Sequence, residues 1–593
     1  MFLLYSILFP HSFILQAVAN IGKKLYDGES METNSFVPAD DAVALMHWLE
    51  LTREDMRRMR YFMKAHGISD FPTTNQLLDA RKFFRPTVFP ILDGKGVAVD
   101  EEELIRETTE AIVQMHAPPG TKSGEIRMVF KEGGDGASGQ SVWKSKKTKE
   151  NAQTMFQYSL LPLRAETVSE PPVVIWRNSA PNSPHSLRSL YLIREKEDDE
   201  ELLAHVVPET DKCRKKMEEN GINIELRDKR VINVAVKLID SMKDMKFKRK
   251  LSGLGGAECL MCETRPDDWS DPKQIENGFP ITRSHENTEA LYQRICDEDG
   301  DVPRKAKDFN DRKGLTCKPL TTSSQRSATV THGYINGVRW FVKLLSHVRI
   351  NWNTWKEVCE AKGGAHVKQS KEAILAAVLD KTGMRIEQVQ QGGHGGTSTD
   401  GNAGRRFFSE EILPIFDVLL PKDNQREKKE QVIELHVMIS SILRINSCTS
   451  PIDVAKYQKL CKDTSLYLAK NFKWARWNQT LHAIVHHGPE LCKDNGDRGL
   501  GELSEEPLEA NNKDIRKYLN DKSRKSDPVS QLTDCMNRNL ERSHPKVRSL
   551  ILNYKPDKSC TICGQAEHTA RTHYKVVGVE IGRYDRHVLD IIG

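Results

Sequence analysis

Between Ser241 and Cys262 the chain reads SMKDMKFKRKLSGLGGAECLMC, and several kinds of reactive side chain are gathered there. Asp244 follows the β-rich run Val231–Ile239 (VINVAVKLI). An acid at the end of a buried strand is where a metal-dependent nuclease fold places a ligand. Lys246, Lys248, Arg249 and Lys250 come next. Such basic blocks often meet phosphate, although each one alone is equally a solvated face. A Gly-rich turn (Gly253, Gly255, Gly256) then leads into Cys259-x-x-Cys262. That pair is half of a tetrahedral zinc site and needs two more ligands.

A second cysteine pair lies in the tail, as Cys560-x₂-Cys563-x₄-His568-x₄-His573 with Gly564 inside it. This is zinc-knuckle spacing with His in the last position. Knuckles bind single strands or DNA ends. A third signal starts at Ser504-Glu505-Glu506-Pro507. Ser caps a helix, acids suit its positive end, and Pro is tolerated in the first turn. On that helix Glu509, Asn512, Lys513 and Arg516 recur at i, i+3, i+4 and i+7 and share one face. A buried face would be apolar at these positions. The expectation is an acid that binds metal, flanked by groups that face phosphates; a solvated stripe of ion pairs is the alternative.

Phosphodiester cleavage without a covalent intermediate commonly uses two divalent ions about 3.5–4 Å apart. Carboxylates are hard oxygen donors suited to Mg²⁺ or Mn²⁺. Asp135, Asp244 and Glu509 are candidates to hold them. Spacing alone does not single these three out from 83 acidic residues.

The elements that would position these groups follow from periodicity. Residues 39–116 read as helical, with Thr73-Thr74-Asn75 as a cap and Pro86 and Pro90 as breaks. This segment is a DNA-binding or dimerisation region or a simple packing domain. Ile126–Phe130, Met155–Leu163 and Leu187–Arg194 read as strands, with Gly133–Gly136 following the first. A charged helix, Asp198–Glu219, and the strand that ends near Asp244 come after. An acid at the first strand and another at the fourth is the layout of a ribonuclease-H-like fold. The long stretch that follows is mainly helical, for example Val338–Val348, Lys428–Ile445, Tyr457–Asn471 and Gln479–His486. The expected organisation is an uncertain segment 1–38, a helical region 39–124, the first part of an α/β ribonuclease-H-like core 125–262, a helical zinc-braced insertion 263–500, a glutamate helix with further helices 501–551, and a knuckle tail 552–593.

Length implies several structural units rather than one core. Hydrophobic residues are 38% and charged residues 29%, so the chain reads as soluble and globular. A net charge of +5 is too small to prove a nucleic-acid partner, but Lys144–Lys149 and Lys513–Lys525 are further basic blocks. Twelve cysteines, four of them in Cys-x-x-Cys pairs, suit zinc in a reducing compartment better than a disulfide framework. Met1–Val18 is apolar but too short for a membrane span and lacks a basic leader. It reads as a mis-assigned start or a short hydrophobic helix, with a true signal peptide the alternative because Ala17-Val18-Ala19 resembles a signal-peptidase site, and no membrane partner is expected.

Five runs carry a resemblance. They are Asp135-Gly-Ala-Ser-Gly-Gln-Ser141, Ser241-Met-Lys-Asp-Met-Lys246 with Cys259-x-x-Cys262, Ile281-Thr-Arg-Ser-His-Glu-Asn287, Asp400-Gly-Asn-Ala-Gly-Arg-Arg-Phe-Phe408 and Leu503-Ser-Glu-Glu-Pro-Leu-Glu-Ala-Asn-Asn-Lys-Asp514. In this order, over roughly residues 125–550, they resemble the DDE transposases that include the Transib elements and the catalytic core of V(D)J recombination-activating protein 1. The Cys/His tail is similar to that of invertebrate relatives. Met242 departs from the pattern, where relatives can carry Gly.

The resemblance implies Asp135, Asp244 and Glu509 as catalytic acids for Mg²⁺. It implies His482 and His487 as the partners of Cys259 and Cys262 in a closed zinc site, with His486 a competing ligand. It further implies a nuclear, dimeric DNA transposase or recombinase that binds terminal inverted repeats, nicks beside them and forms hairpins, with a Kelch-propeller protein as partner. Lys246, Lys248, Arg249, Asn512, Lys513 and Arg516 are the expected DNA contacts. A domesticated, non-catalytic DNA-binding protein and a Transib-type transposase are the alternative readings.

Overall fold

The computed structural model describes residues 37–65, 71–137, 154–256, 258–299, 312–323, 325–350, 364–386, 399–420, 426–553 and 584–592. The apolar segment Met1–Val18, the block Lys144–Lys149 and the knuckle residues Cys560, Cys563, His568 and His573 lie outside them. The chain divides into two compact units, each made of two separate stretches. The first comprises Met1–Ile239 and Pro507–Glu580, the second Asp240–Glu506 and Ile581–Gly593.

The first unit is built on a sheet of eight strands: β1 (Phe89–Ile91), β2 (Gly96–Ala98), β3 (Ile126–Ala137), β4 (Met155–Thr167), β5 (Val174–Arg177), β6 (Arg188–Ile193), β7 (Ile222–Glu225) and β8 (Val231–Asp240). Their order is β1-β2-β6-β4-β3-β8-β7, with β5 added on β4. β3 and β4 form the long antiparallel centre, and they bury both faces, as a strand covered on two sides must. The strand expected to stop at Phe130 runs on through the glycines to Ala137. The Gly133–Gly136 run is pleated strand, not a turn. Gly134 lies opposite Tyr158, and a Cβ there would come within 2.7 Å of the Phe156 ring. Only glycine lets the two strands close beneath these rings.

Helices Glu101–His116 and Pro528–Ser543 pack on the sheet. The expected cap at the start of Thr74–Lys82 is a full capping box, with Thr73 and Gln76 exchanging hydrogen bonds. Glu541 fastens the N-terminal helices to this layer. Its buried carboxylate accepts from Arg81 Nε (2.8 Å) and Arg85 Nε (2.9 Å) and lies 3.2 Å from His47 Nε2. A buried carboxylate held by several donors is costly to break by removing one partner. The β1–β2 hairpin falls where prolines predicted only a break; three-residue strands carry too little alternation to be read.

The second unit is helical around Val330–Arg349. Its core gathers Val338, Phe341 and Leu345 with Phe407, Phe408, Phe416 and Leu443. His436 lies among these rings with Nδ1 2.7 Å from the Tyr584 hydroxyl and Nε2 3.0 Å from the Phe407 carbonyl. Burial pushes its pKa down to about 3, so it is a neutral core residue. Among the described residues no helix is long and apolar enough to cross a membrane.

Candidate functional site

In the first unit Asp135 sits on β3 directly opposite Gln157 on β4. Helix Glu506–Lys517 lies against this pair. Gln157 Nε2 donates to the Leu508 carbonyl (2.8 Å) and to Asn512 Oδ1 (2.7 Å). Asn512 Nδ2 in turn donates to Asp135 Oδ2 at 2.8 Å. Glu509 is one turn before Asn512, so it shares the face that Asn512 presents to Asp135. Asp135 and Glu509 are both half-buried. The helix starts as its sequence predicts, with Ser504 Oγ accepting from the Glu506 N–H at 3.2 Å. Lys513 and Arg516 are exposed. The Asn512 amide is turned to Asp135 and Gln157 rather than outward.

In the second unit Asp244 caps the helix Met245–Leu251, its Oδ1 accepting from the Phe247 N–H at 2.6 Å. The basic block on this helix is split. Lys246 is exposed and Arg249 half-buried, while Lys248 is fully buried. Lys248 Nζ donates to Ser327 Oγ and to the Ser241 carbonyl, the latter at 3.2 Å. Burial lowers its pKa to about 8. The expected phosphate contact is therefore replaced, at Lys248, by an internal one. The signal was in the spacing: Lys248 stands three residues from both Met245 and Leu251, on their apolar face.

Cys259, Cys262, His482 and His487 are all buried, with one donor atom of each within 4.8 Å of the others. Cys259 Sγ lies 3.5 Å from His487 Nε2, Cys262 Sγ 3.4 Å from His482 Nε2, and the two Nε2 atoms 3.2 Å apart. Tetrahedral zinc with bonds of roughly 2.0–2.3 Å sets its ligand atoms about 3.3–3.8 Å apart, so this donor set fits zinc. Without a metal, hydrogen bonding with Cys259 lowers the Cys262 pKa while burial raises that of Cys259; zinc would take both as thiolates. Trp269 stacks on His482 at 3.9 Å and walls the cluster from solvent. His486 is outside it, against Phe279 and 3.4 Å from Ser465 Oγ.

Four polar residues near these groups were missed. Gln157 is a lone amide in the apolar run Met155–Leu163, the one sequence hint of a buried polar partner. Arg542 has no comparable signal. Glu505 accepts from the backbone N–H groups of Val330, Thr331 and His332, each at 3.1 Å, and meets His332 Nδ1 at 3.1 Å. This is a carboxylate at a helix N-terminus, and neither residue's spacing announces it.

A central antiparallel strand that carries Asp135, covered by helices and followed through β8 by Asp244, defines a ribonuclease-H-like domain. Residues 128–258 match the family described as Recombination-activation protein 1 (RAG1) RNase H domain. Over these residues the chain is similar to that ribonuclease H domain. The matched stretch contains both Asp135 and Asp244 and ends immediately before Cys259. No curated protein matches the chain.

Proposed function

We propose that this protein is a DNA transposase or recombinase endonuclease that binds terminal inverted repeats, nicks beside them and joins the new 3′-hydroxyl to the opposite strand as a hairpin. The observation that carries this reading is the match over residues 128–258. Asp135, Asp244 and Glu509 are the acids that would hold Mg²⁺ or Mn²⁺. Such ions, when bound, activate the attacking oxygen and stabilise the leaving one. Lys246, Arg249, Lys513 and Arg516 would meet the DNA backbone and hold the strand in register. Cys259, Cys262, His482 and His487 would hold zinc with four protein ligands and no open position, which makes the site structural. A knuckle at Cys560, Cys563, His568 and His573 would bind a second zinc. The homodimer, the Kelch-propeller partner and a nuclear location rest on the resemblance alone.

The test is cleavage of DNA bearing the repeats that flank the gene, with Mg²⁺. The parent nicks at the repeat border and then forms hairpins. Asp135→Asn, Asp244→Asn and Glu509→Gln each abolish nicking and leave end binding nearly intact. Nicking that survives all three substitutions would sink the assignment. End binding without nicking by the parent itself would identify a domesticated DNA-binding protein.

A further inference from the structure

A single line of side-chain hydrogen bonds runs through the first unit to Asp135. Arg542 Nη2 donates to Asn511 Oδ1 (3.2 Å), and Asn511 Nδ2 donates to Gln157 Oε1 (2.8 Å). Gln157 Nε2 donates to Asn512 Oδ1 (2.7 Å), and Asn512 Nδ2 donates to Asp135 Oδ2 (2.8 Å). Carboxamides can be drawn either way round, so their direction has to be argued from their neighbours. Here both ends dictate it. A guanidinium has five donors and no acceptor, and an ionised carboxylate only accepts. Each of the three amides between them must turn its oxygen toward Arg542 and its nitrogen toward Asp135. Flipping any one places two donors or two acceptors face to face.

The line is well anchored. Gln157 and Asn511 are fully buried. Arg542 is also held by Asp514 Oδ2 (2.6 Å) and Asn539 Oδ1 (2.8 Å). Asn512 belongs to the helix that carries Glu509, and Gln157 fixes the backbone of that helix at Leu508. Partners that hydrogen-bond a metal-ligating carboxylate set its orientation.

We infer that Asn512 and Gln157 are positioning residues: their ordered amides fix the orientation of the Asp135 carboxylate and tie the Glu509 helix to it. This rests on the reading of Asp135 as a metal ligand. The inference makes a directional demand. Asn512→Asp and Gln157→Glu keep size and shape but remove the donor, so each should fail as a positioning group. Both also add a charge, so Asn512→Ala, which removes the donor without adding one, is the companion variant.

The experiment is Mn²⁺ binding to the full-length protein, followed by electron paramagnetic resonance, with thermal melting of each variant alongside. Asn512→Asp and Asn512→Ala should each weaken Mn²⁺ binding on the order of 10–100-fold, with Gln157→Glu in the same direction. Parent-like Mn²⁺ affinity in Asn512→Asp and Asn512→Ala, while Asp135→Ala abolishes binding, would overturn the positioning role and leave the metal assignment standing. Mn²⁺ binding unchanged in Asp135→Ala would overturn the metal assignment itself. Should Gln157→Glu fail to fold, the two Asn512 variants decide the matter, since that side chain is only half-buried.

Discussion

His482 and His487 are five residues apart, yet their Nε2 atoms lie 3.2 Å from each other. In a regular α-helix residues at i and i+5 point roughly 140° apart. The segment Ala483–His487 is a π-helical turn, and its wider winding brings the fifth residue round to face the first. Single π-turns of this kind are frequent at functional sites. His487, not His486, joins the two cysteines for this reason.

His487→Ala should therefore lose zinc and lower the melting temperature of the second unit, and Cys262→Ser should do the same. His486→Ala should keep full zinc content, because its ring packs on Phe279 outside the cluster. Metal content after gel filtration, measured beside the melting curve, distinguishes the three.

Glu505 is buried, and burial alone would raise its pKa. The hydrogen bond and charge of His332, together with backbone N–H groups, outweigh this and hold it at about 2. A carboxylate with a depressed pKa stabilises the fold fully above its ordinary value of 4.5 and loses that contribution as pH falls through 2. Glu505→Gln should destabilise the second unit at neutral pH by on the order of 3 kcal/mol, since each tenfold gain in acidity on folding is worth about 1.4 kcal/mol. The gap between variant and parent in urea titrations should narrow steadily from pH 4.5 downward. A constant gap would show that the charge of Glu505 does not matter.

Lys513 and Arg516 are exposed on the helix that carries Glu509, whereas Lys248 is buried. Lys513→Ala and Arg516→Ala should each flatten the slope of log affinity against log salt by about 0.9. Lys248→Ala should leave that slope unchanged. It should instead cost about 1–3 kcal/mol of stability, because the Ser241 carbonyl loses its donor.

Gly134→Val puts a branched side chain where a Cβ already meets Phe156 at 2.7 Å. We expect about 1–3 kcal/mol of destabilisation, read as a lower denaturation midpoint, and weakened Mn²⁺ binding through the adjacent Asp135.

Much of this was readable in the sequence, and the exceptions have physical causes. β8 was legible because Val231–Asp240 alternates buried and exposed positions. The helices Lys428–Ile445 and Tyr457–Asn471 differ from the observed Arg426–Asn446 and Val454–Asn471 only near their ends. The far end of β3 was hidden because glycines signal turns unless a neighbouring ring requires them. The choice between His486 and His487 depended on a π-turn that residue spacing cannot reveal. Asn512 shares a polar helix face with Lys513 and Arg516, and only the position of Gln157 on another strand turns it inward. Spacing identifies a face; the partner across the fold determines which of its residues remain available to a ligand.

The interleaving of the two units has a consequence for how the protein is made. A ribosome releases β3 and β4 early, but Asn511 and Asn512, which engage Gln157 and Asp135, emerge only after the whole of Asp240–Glu506 has been synthesised. Cys259 likewise waits for His487. The half-made chain must carry a sheet still lacking the helices Glu506–Lys517 and Pro528–Ser543, and two cysteines without their histidines, while much of Asp240–Glu506 is being made. Its most vulnerable moment is therefore during synthesis, when a chaperone or a competing metal can reach groups that the finished fold seals away.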